Sequence, residues 1–289
     1  MDGTYDILII GGGPAGLSAA VAARGRGRSC LVISNPREDN PLSKAPLVDN
    51  YLGLPGLTGA EMMETFHSHA RQMGAHFRSG RVLSAMDMGT SFFLTIGEEV
   101  AEGRKIILAP GIQRGVKYPG EEALLGRGVS YCASCDGMLY RQKEVIVVGR
   151  AKDAPHEANF LHGIGCKVSY VSPGKPEGLM AEIPWIKAGN LRVLGQDRVT
   201  GLLADGRELP CQGLFILRDT IAPNDLFPGL ALEEGHIQVN RRMETNLAGV
   251  YAAGDCTGKP LQISKAVGEG LIAGQSAAEA LEAEDKERK

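Results

Sequence analysis

The 289-residue sequence predicts an α/β protein with two βαβ units, on three observations. An apolar run at residues 5–10 leads into a glycine-rich turn and a helical run, and the same order returns at residues 144–163. In addition, 39 of the 289 residues are glycine, about one in seven and roughly double the usual share. With only 7 Tyr, 7 Phe and 1 Trp, these glycines point to tight turns and close backbone approaches. They follow no three-residue period, which excludes collagen, and 43% apolar content argues against disorder. The length fits about two domains of roughly 150 residues. Lys and Arg number 31 against 34 Asp and Glu, so a net charge of −3 offers no basic field for nucleic acid.

The first strand, over 5–10, runs into Gly11-Gly12-Gly13-Pro14-Ala15-Gly16, a helix over 17–24 and a second strand over 29–34. Strand, G-x-G-x-x-G, helix, strand is the Rossmann-like unit that cradles a diphosphate. In it Gly11 makes the tight turn, Gly13 lets the backbone approach a pyrophosphate, and Gly16 lets helix and strand pack closely. The helix N-terminus adds a positive dipole and free N–H groups. The apolar stretch 7–23 does not read as a signal peptide or a span. Asp2 and Asp6 precede it without Lys or Arg, and Gly-Gly-Gly-Pro interrupts it. No other apolar run reaches the ~18–20 residues a span needs, so a soluble, cytoplasmic protein outside the membrane is expected. A further strand over 105–109 meets the turn Pro110-Gly111.

The second unit has a strand over 144–148, the turn Gly149-Arg150-Ala151-Lys152-Asp153-Ala154, a helix over 155–163 and a strand over 167–171. Ala151 stands where the pyrophosphate-facing glycine belongs, and its methyl is expected to take the phosphate's space. Ser172-Pro173-Gly174 then offers neither an acidic residue for a ribose nor arginines for a 2′-phosphate. This unit reads as a nucleotide fold that binds nucleotide poorly. Residues 249–253 form a strand into Gly254-Asp255, followed by a helix of small residues over 264–283. The charged tail, 282–289, reads as a frayed, solvated helix end. Of six cysteines, at 30, 132, 135, 166, 211 and 256, two form one CxxC. A single pair suits redox chemistry better than a disulfide framework, and zinc would need two more ligands, so no metal is expected.

The segments GGGPAG (11–16), VDNYLGLPGLTG (48–59), CASCDG (132–137) and GVYAAGDCTGKPLQISKAVGEG (249–270) together resemble the low-molecular-weight thioredoxin reductases. The resemblance covers nearly the whole chain. It implies a homodimeric flavoprotein whose FAD domain, 1–113 plus 244–289, is interrupted by a smaller central domain, 114–243, carrying the CxxC. Linkers would lie near 115–128 and 241–247. By that likeness Gly11, Gly13 and Gly16 hold the FAD pyrophosphate, with Pro14 and Ala15 in the same turn. Ser34 and Asn35 would sit near the adenosine ribose, and Asn50 in a segment approaching the flavin. Gly111 and Gly254 border the cofactor, Asp255 bonds the ribityl chain, and Gln262 with Ile263 lie by the isoalloxazine ring. Cys132 and Cys135 form the redox disulfide at the start of a helix whose N-terminus favours a thiolate. Cys135 would face the flavin, and Asp136 would move the accompanying proton as general acid/base.

The sequence departs from the family where NADPH should bind. NADPH-using relatives carry GxGxxA and an arginine-rich stretch, where this chain reads GRAKDA and SYVSPGK. LRDTIAPN at 217–224 lacks the glycine before Pro-Asn, and NPLSKAP at 40–46 lacks the usual GGQ turn. In that combination the chain resembles the ferredoxin-dependent flavin thioredoxin reductases. The resemblance implies electrons from ferredoxin through FAD and Cys132–Cys135 to thioredoxin. Docking of an acidic ferredoxin would draw on Arg24, Arg26 and Arg28, or on Arg150 with Lys152. The alternatives are an NADPH-dependent thioredoxin reductase with a degenerate site, a flavin dithiol oxidase, or a flavin-bound redox sensor. The oxidase usually carries His after the second cysteine, where Asp136-Gly137 stands here.

Overall fold

A computed structural model describes residues 4–111, 117–131, 133–218 and 223–288, with backbone alone at Ser134 and Cys135. The chain divides into two compact units, Met1–Gln113 with Ala222–Lys289, and Arg114–Ile221.

The first unit opens with β1 (Tyr5–Ile10), α1 (Pro14–Gly25) and β2 (Cys30–Ser34). Next come α2 (Gly59–Gln72), β3 (His76–Ser79), β4 (Val82–Asp87), β5 (Phe92–Ile96) and β6 (Glu99–Leu108). The second unit holds β7 (Val129–Ser130), α3 (Ala133–Asp136), β8 (Glu144–Gly149), α4 (Ala154–Gly163), β9 (Lys167–Ser172) and β10 (Trp185–Lys187). It is completed by β11 (Leu191–Gly195), β12 (Val199–Ala204), β13 (Arg207–Pro210) and β14 (Gly213–Leu217). The chain then re-enters the first unit with α5 (Pro223–Leu226), β15 (Leu232–Glu233), β16 (His236–Ile237), β17 (Val250–Ala252) and α6 (Ile263–Glu287).

In the first unit the sheet runs β3-β2-β1-β6-β5-β4, with β17 also paired to β6. β1, β2, β3, β6 and β17 are parallel, while β4 and β5 form an antiparallel edge. Buried Ile7 and Ile9 on one face meet Ala19 and Ala23 of α1 and Ala273 and Ala277 of α6. These helices approach closely because α6 has glycines at the contact. A Cβ on Gly270 would lie 2.1 Å from the Ala15 carbonyl oxygen, and one on Gly274 2.5 Å from that of Ala19. α2 starts on a capping box: Thr58 Oγ1 accepts the Glu61 N–H at 3.2 Å and Glu61 Oε2 accepts the Thr58 N–H at 2.8 Å.

The second unit is a parallel sheet, β10-β9-β8-β14-β7, with an antiparallel meander β11-β12-β13. Its β8–α4–β9 crossover is the second βαβ unit read from the sequence. The second crossover sits within one residue of expectation, and the first does too except that α1 starts at Pro14, three residues before the expected 17, since Pro14 is accepted in a helix's first turn.

Two expectations are corrected. The sequence reading placed the return to the first unit at 244, but the chain returns at Ala222. Residues 223–243 pack there: Phe227 lies edge-on to Phe92 at 6.4 Å, and Asn246 Oδ1 accepts the Ala231 N–H at 2.8 Å. The charged tail is not frayed either. α6 continues to Glu287, and Asp285 accepts from Arg28 at 2.6 Å and Arg104 at 2.7 Å, while Glu284 takes Lys105 and Arg104. The tail lacks an apolar face, but the cations facing it supply an ionic one.

Candidate functional site

The glycine turn after β1 lies where a βαβ sheet binds its ligand, beyond the carboxyl ends of the strands at the point where strand order reverses. Gly11 has φ +116°, and a Cβ there would meet the Ala109 carbonyl oxygen at 2.1 Å. A Cβ on Gly16 would lie 1.9 Å from the Gly11 oxygen, so both positions require glycine. Gly13 is open except for Asn40 Nδ2, 3.2 Å from where its Cβ would stand. α1 begins here with Pro14 in its first turn, no side-chain cap and no acidic residue. Its first N–H groups have no intrahelical acceptors and face the turn. That is the donor set a diphosphate needs.

The other carboxyl ends bring further expected residues to this edge. Ala109 N–H donates to Ile10 and Ala253 N–H to Leu108, which seats the Gly111 and Gly254 turns beside the cradle. The position of a Cβ on Gly254 is 2.8 Å from Ala15 Cβ, and Ser34 Oγ lies 2.7 Å from that of a Cβ on Gly12. Asn35 follows β2, half-buried. Asn50 Nδ2 donates to Gln262 Oε1 at 3.1 Å, joining two residues 212 apart in sequence, and Ile263 opens α6 next to them. Burial pushes the Asp255 carboxyl above its usual range, against the pull of Lys265 and with a further push from Glu269. Asn40, Lys265 and Glu269 escaped the sequence reading. Only the i, i+4 spacing of Lys265 and Glu269 could have signalled that pair, which lies 3.1 Å apart.

On the second unit, Cys132 lies outside the described residues, and Cys135 falls within α3. α3 is a single turn of four residues, followed by a 3₁₀ turn over Gly137–Tyr140. The expected helix that would favour a thiolate is therefore short, and Glu157 Oε2 already accepts its Ala133 N–H at 3.1 Å. Asp136 is half-buried and accepts the Ser130 hydroxyl at 2.7 Å, which fixes one oxygen of its carboxylate. The remaining cysteines, Cys30, Cys166, Cys211 and Cys256, are buried and free. Burial pushes the thiols of Cys30, Cys211 and Cys256 up to about 12.

The second glycine turn has the same place in its sheet, since Arg150 follows β8 and Arg218 follows the adjacent β14. It is closed. Both the Arg150 and Ala151 N–H groups donate to the Leu217 carbonyl, at 2.8 and 2.9 Å. The Ala151 methyl does not take the phosphate's space as expected; it is 8% exposed and packs into the core under the turn. Nor are cations missing, but they are engaged. Arg150 Nε donates to the Tyr118 hydroxyl at 2.6 Å, and Arg150 and Arg218 both lie over the Tyr118 ring. Arg218 grips the fully buried Glu121 with two bonds, of 2.6 and 2.8 Å, and Tyr131 adds a third at 2.9 Å. Asp153 stands at the N-cap position of α4, without a side-chain capping bond, and Glu157 in its first turn, carboxylates that α1 lacks. No sequence signal marks Glu121, whose partner is 97 residues away. Of the expected basic clusters, Arg26 is paired with Glu279 and Glu282, Arg28 with Asp285, and Arg24 holds the carbonyls of Met73 and Arg28.

One open and one closed cradle, with a cysteine pair on the unit whose cradle is closed, is the layout of a flavin-dependent disulfide oxidoreductase. The model of the pyridine nucleotide-disulphide oxidoreductase family matches residues 5–176 and 187–270. A thioredoxin reductase of Bacillus subtilis is 33% identical over 94% of this chain and 93% of its own. Two solved ferredoxin-flavin thioredoxin reductases from Clostridium acetobutylicum are similar. One is 43% identical with a TM-score of 0.89, over 97% of this chain and 99% of that one. The other is 38% identical with a TM-score of 0.85, over 99% of each. The chain belongs to the pyridine nucleotide-disulphide oxidoreductase family, among its thioredoxin reductases, and FAD is its cofactor. The open cradle fits that cofactor's diphosphate. Among the described residues no helix is long and apolar enough to cross a membrane.

Proposed function

We propose that this protein takes electrons from reduced ferredoxin and passes them through FAD and the Cys132–Cys135 disulfide to thioredoxin. The observation that carries the choice of donor is the closed second turn, whose two N–H groups at Arg150 and Ala151 are bonded to Leu217 and whose mouth holds Tyr118, Arg218 and Glu121. A pyridine nucleotide would have to break these bonds to be seated. The likeness to the ferredoxin-flavin enzymes supports the same reading.

Gly11, Gly13, Pro14, Ala15 and Gly16 would hold the diphosphate, Ser34 and Asn35 the adenosine side, and Gly111, Gly254 and Asp255 the ribityl chain. Asn50, Gln262 and Ile263 would border the ring. Bound FAD supplies a two-electron store that a one-electron donor fills in two steps and a disulfide empties in one. Cys135 is assigned the flavin-facing role and Cys132 that of its partner. Opening the disulfide takes two electrons and two protons. Asp136, which accepts the Ser130 hydroxyl, would deliver a proton at the sulfur that leaves. A homodimer belongs to the same proposal.

The test is an anaerobic titration of the holoenzyme with reduced ferredoxin and, separately, NADPH, following flavin absorbance. Ferredoxin is expected to bleach the flavin and NADPH to leave it oxidised. Rapid bleaching by NADPH at micromolar concentration would overturn the donor assignment. Cys132→Ser or Cys135→Ser should abolish thioredoxin reduction with FAD still bound and reducible.

A further inference from the structure

The loop that carries Asp255 is wound between two left-handed glycines, Gly254 at φ +89° and Gly258 at φ +118°. This winding turns three oxygens toward one point. The carbonyls of Gly254 and Gly258 and the hydroxyl of Thr257 each lie 2.8 Å from Lys265 Nζ. Converging carbonyl dipoles repel one another unless a donor stands among them, and an ammonium brings three donors and a full charge to that point. One helical turn along α6, Glu269 Oε2 lies 3.1 Å from the same nitrogen and accepts the Gly254 N–H and the Thr257 hydroxyl, both at 2.8 Å. The loop is thus gripped at its acceptors by one residue and at its donors by the other. Both side chains are mostly buried, 16% and 18% exposed. Among the described residues the Asp255 carboxylate takes no hydrogen bond, so the knot fixes the backbone around it and leaves its oxygens for a ligand.

Resting on the reading that this loop holds FAD, we infer that Lys265 is a positioning residue for the cofactor, acting with Glu269 by holding the Gly254–Gly258 loop so that Asp255 faces the ribityl chain. The Lys–Glu pair shapes the loop and does not touch the reacting atoms.

The experiment measures FAD affinity, by titrating deflavinated protein and by the flavin fluorescence released on dilution, for the parent, Lys265→Met, Asp255→Asn and the double variant. Each single change is expected to weaken FAD at least about tenfold, as loss of a charged hydrogen-bonding group does. The double variant should be no weaker than the worse single one, because both act through one contact. A loosening of the fold in general would not give that coupling. If Asp255→Asn binds FAD like the parent, the assignment of the loop to FAD fails. If it weakens FAD while Lys265→Met does not, or if the two losses multiply, the role given to Lys265 is overturned. Should Lys265→Met not fold by far-UV circular dichroism, Lys265→Gln takes its place with the same outcomes.

Discussion

Glu121 is a carboxylate with no exposed surface, and its charge depends on Arg218. Burial would push its carboxyl up, but the two Arg218 bonds, the Tyr118 N–H and the Tyr131 hydroxyl outweigh that and hold it below the ordinary range. Ionised Glu121 therefore stabilises the fold above its unfolded value of about 4.3, and the contribution fades as acid titrates the folded carboxyl. Glu121→Gln breaks the two-bond pair with Arg218 at a carboxylate that has no exposed surface, at a cost of roughly 3–5 kcal/mol at neutral pH. The gap between parent and variant should narrow at about pH 3 in urea unfolding curves. An equal gap at both pH values would remove Glu121 as the titrating group. The four buried thiols give a second outcome at this scale. Because burial disfavours their thiolates, a disulfide reagent should leave Cys30, Cys166, Cys211 and Cys256 unmodified in the native protein and reach them only after denaturation. At this scale the sequence was most legible where chemistry is local. Gly16 acts through the Gly11 oxygen five residues away, and although Gly11 itself meets the distant Ala109 carbonyl, the local G-x-G-x-x-G spacing marks both, whereas Glu121 and Arg218 meet only after the whole second sheet has formed.

At the scale of elements, α6 shows how a segment with no apolar face is held. Its last turns place Glu284 and Asp285 against Arg28, just before β2, and against Arg104 and Lys105 of β6. Partly exposed pairs are individually weak, so replacing both carboxylates, E284A/D285A, is expected to lower stability by about 1–2 kcal/mol. Added salt should shrink the difference, since it screens the parent's pairs. Thermal unfolding across a salt series checks both points, and a salt-independent difference would point to lost packing instead. Hydropathy reading left this tail as a solvated end because pattern alone cannot pair charges across 180 residues. At α3 the CxxC pointed to a helix start, and a helix does begin at Ala133, although only one turn forms before the 3₁₀ turn at Gly137.

For the molecule as a whole, the proposed choice of electron donor rests on the contrast between the two cradles, which is more than a matter of one methyl. Ala151→Gly removes a carbon that already points into the core, and it leaves the turn's N–H groups on Leu217. The variant is thus expected to gain no measurable flavin reduction by NADPH in a rapid-mixing assay, although the sequence comparison alone would nominate that change. Appearance of NADPH-driven bleaching would return the methyl to the centre of the explanation. Both βαβ units were readable from turn glycines and apolar runs, while the first boundary of the division came only from the family resemblance. The second boundary was not readable, because what assigns residues 223–243 to the first unit is contact such as Phe227 with Phe92, which no short-range pattern encodes.

The sheet order also bears on biosynthesis. β17 and α6 are made last, yet they lie against β6 and α1, and the Gly254–Asp255 corner sits between them. The nested second unit can be complete while the ribosome is still adding the strand that finishes the first. Flavin capture therefore waits until β17 and α6 have been made, and a nascent chain arrested before residue 250 should emerge colourless with its inner unit already folded.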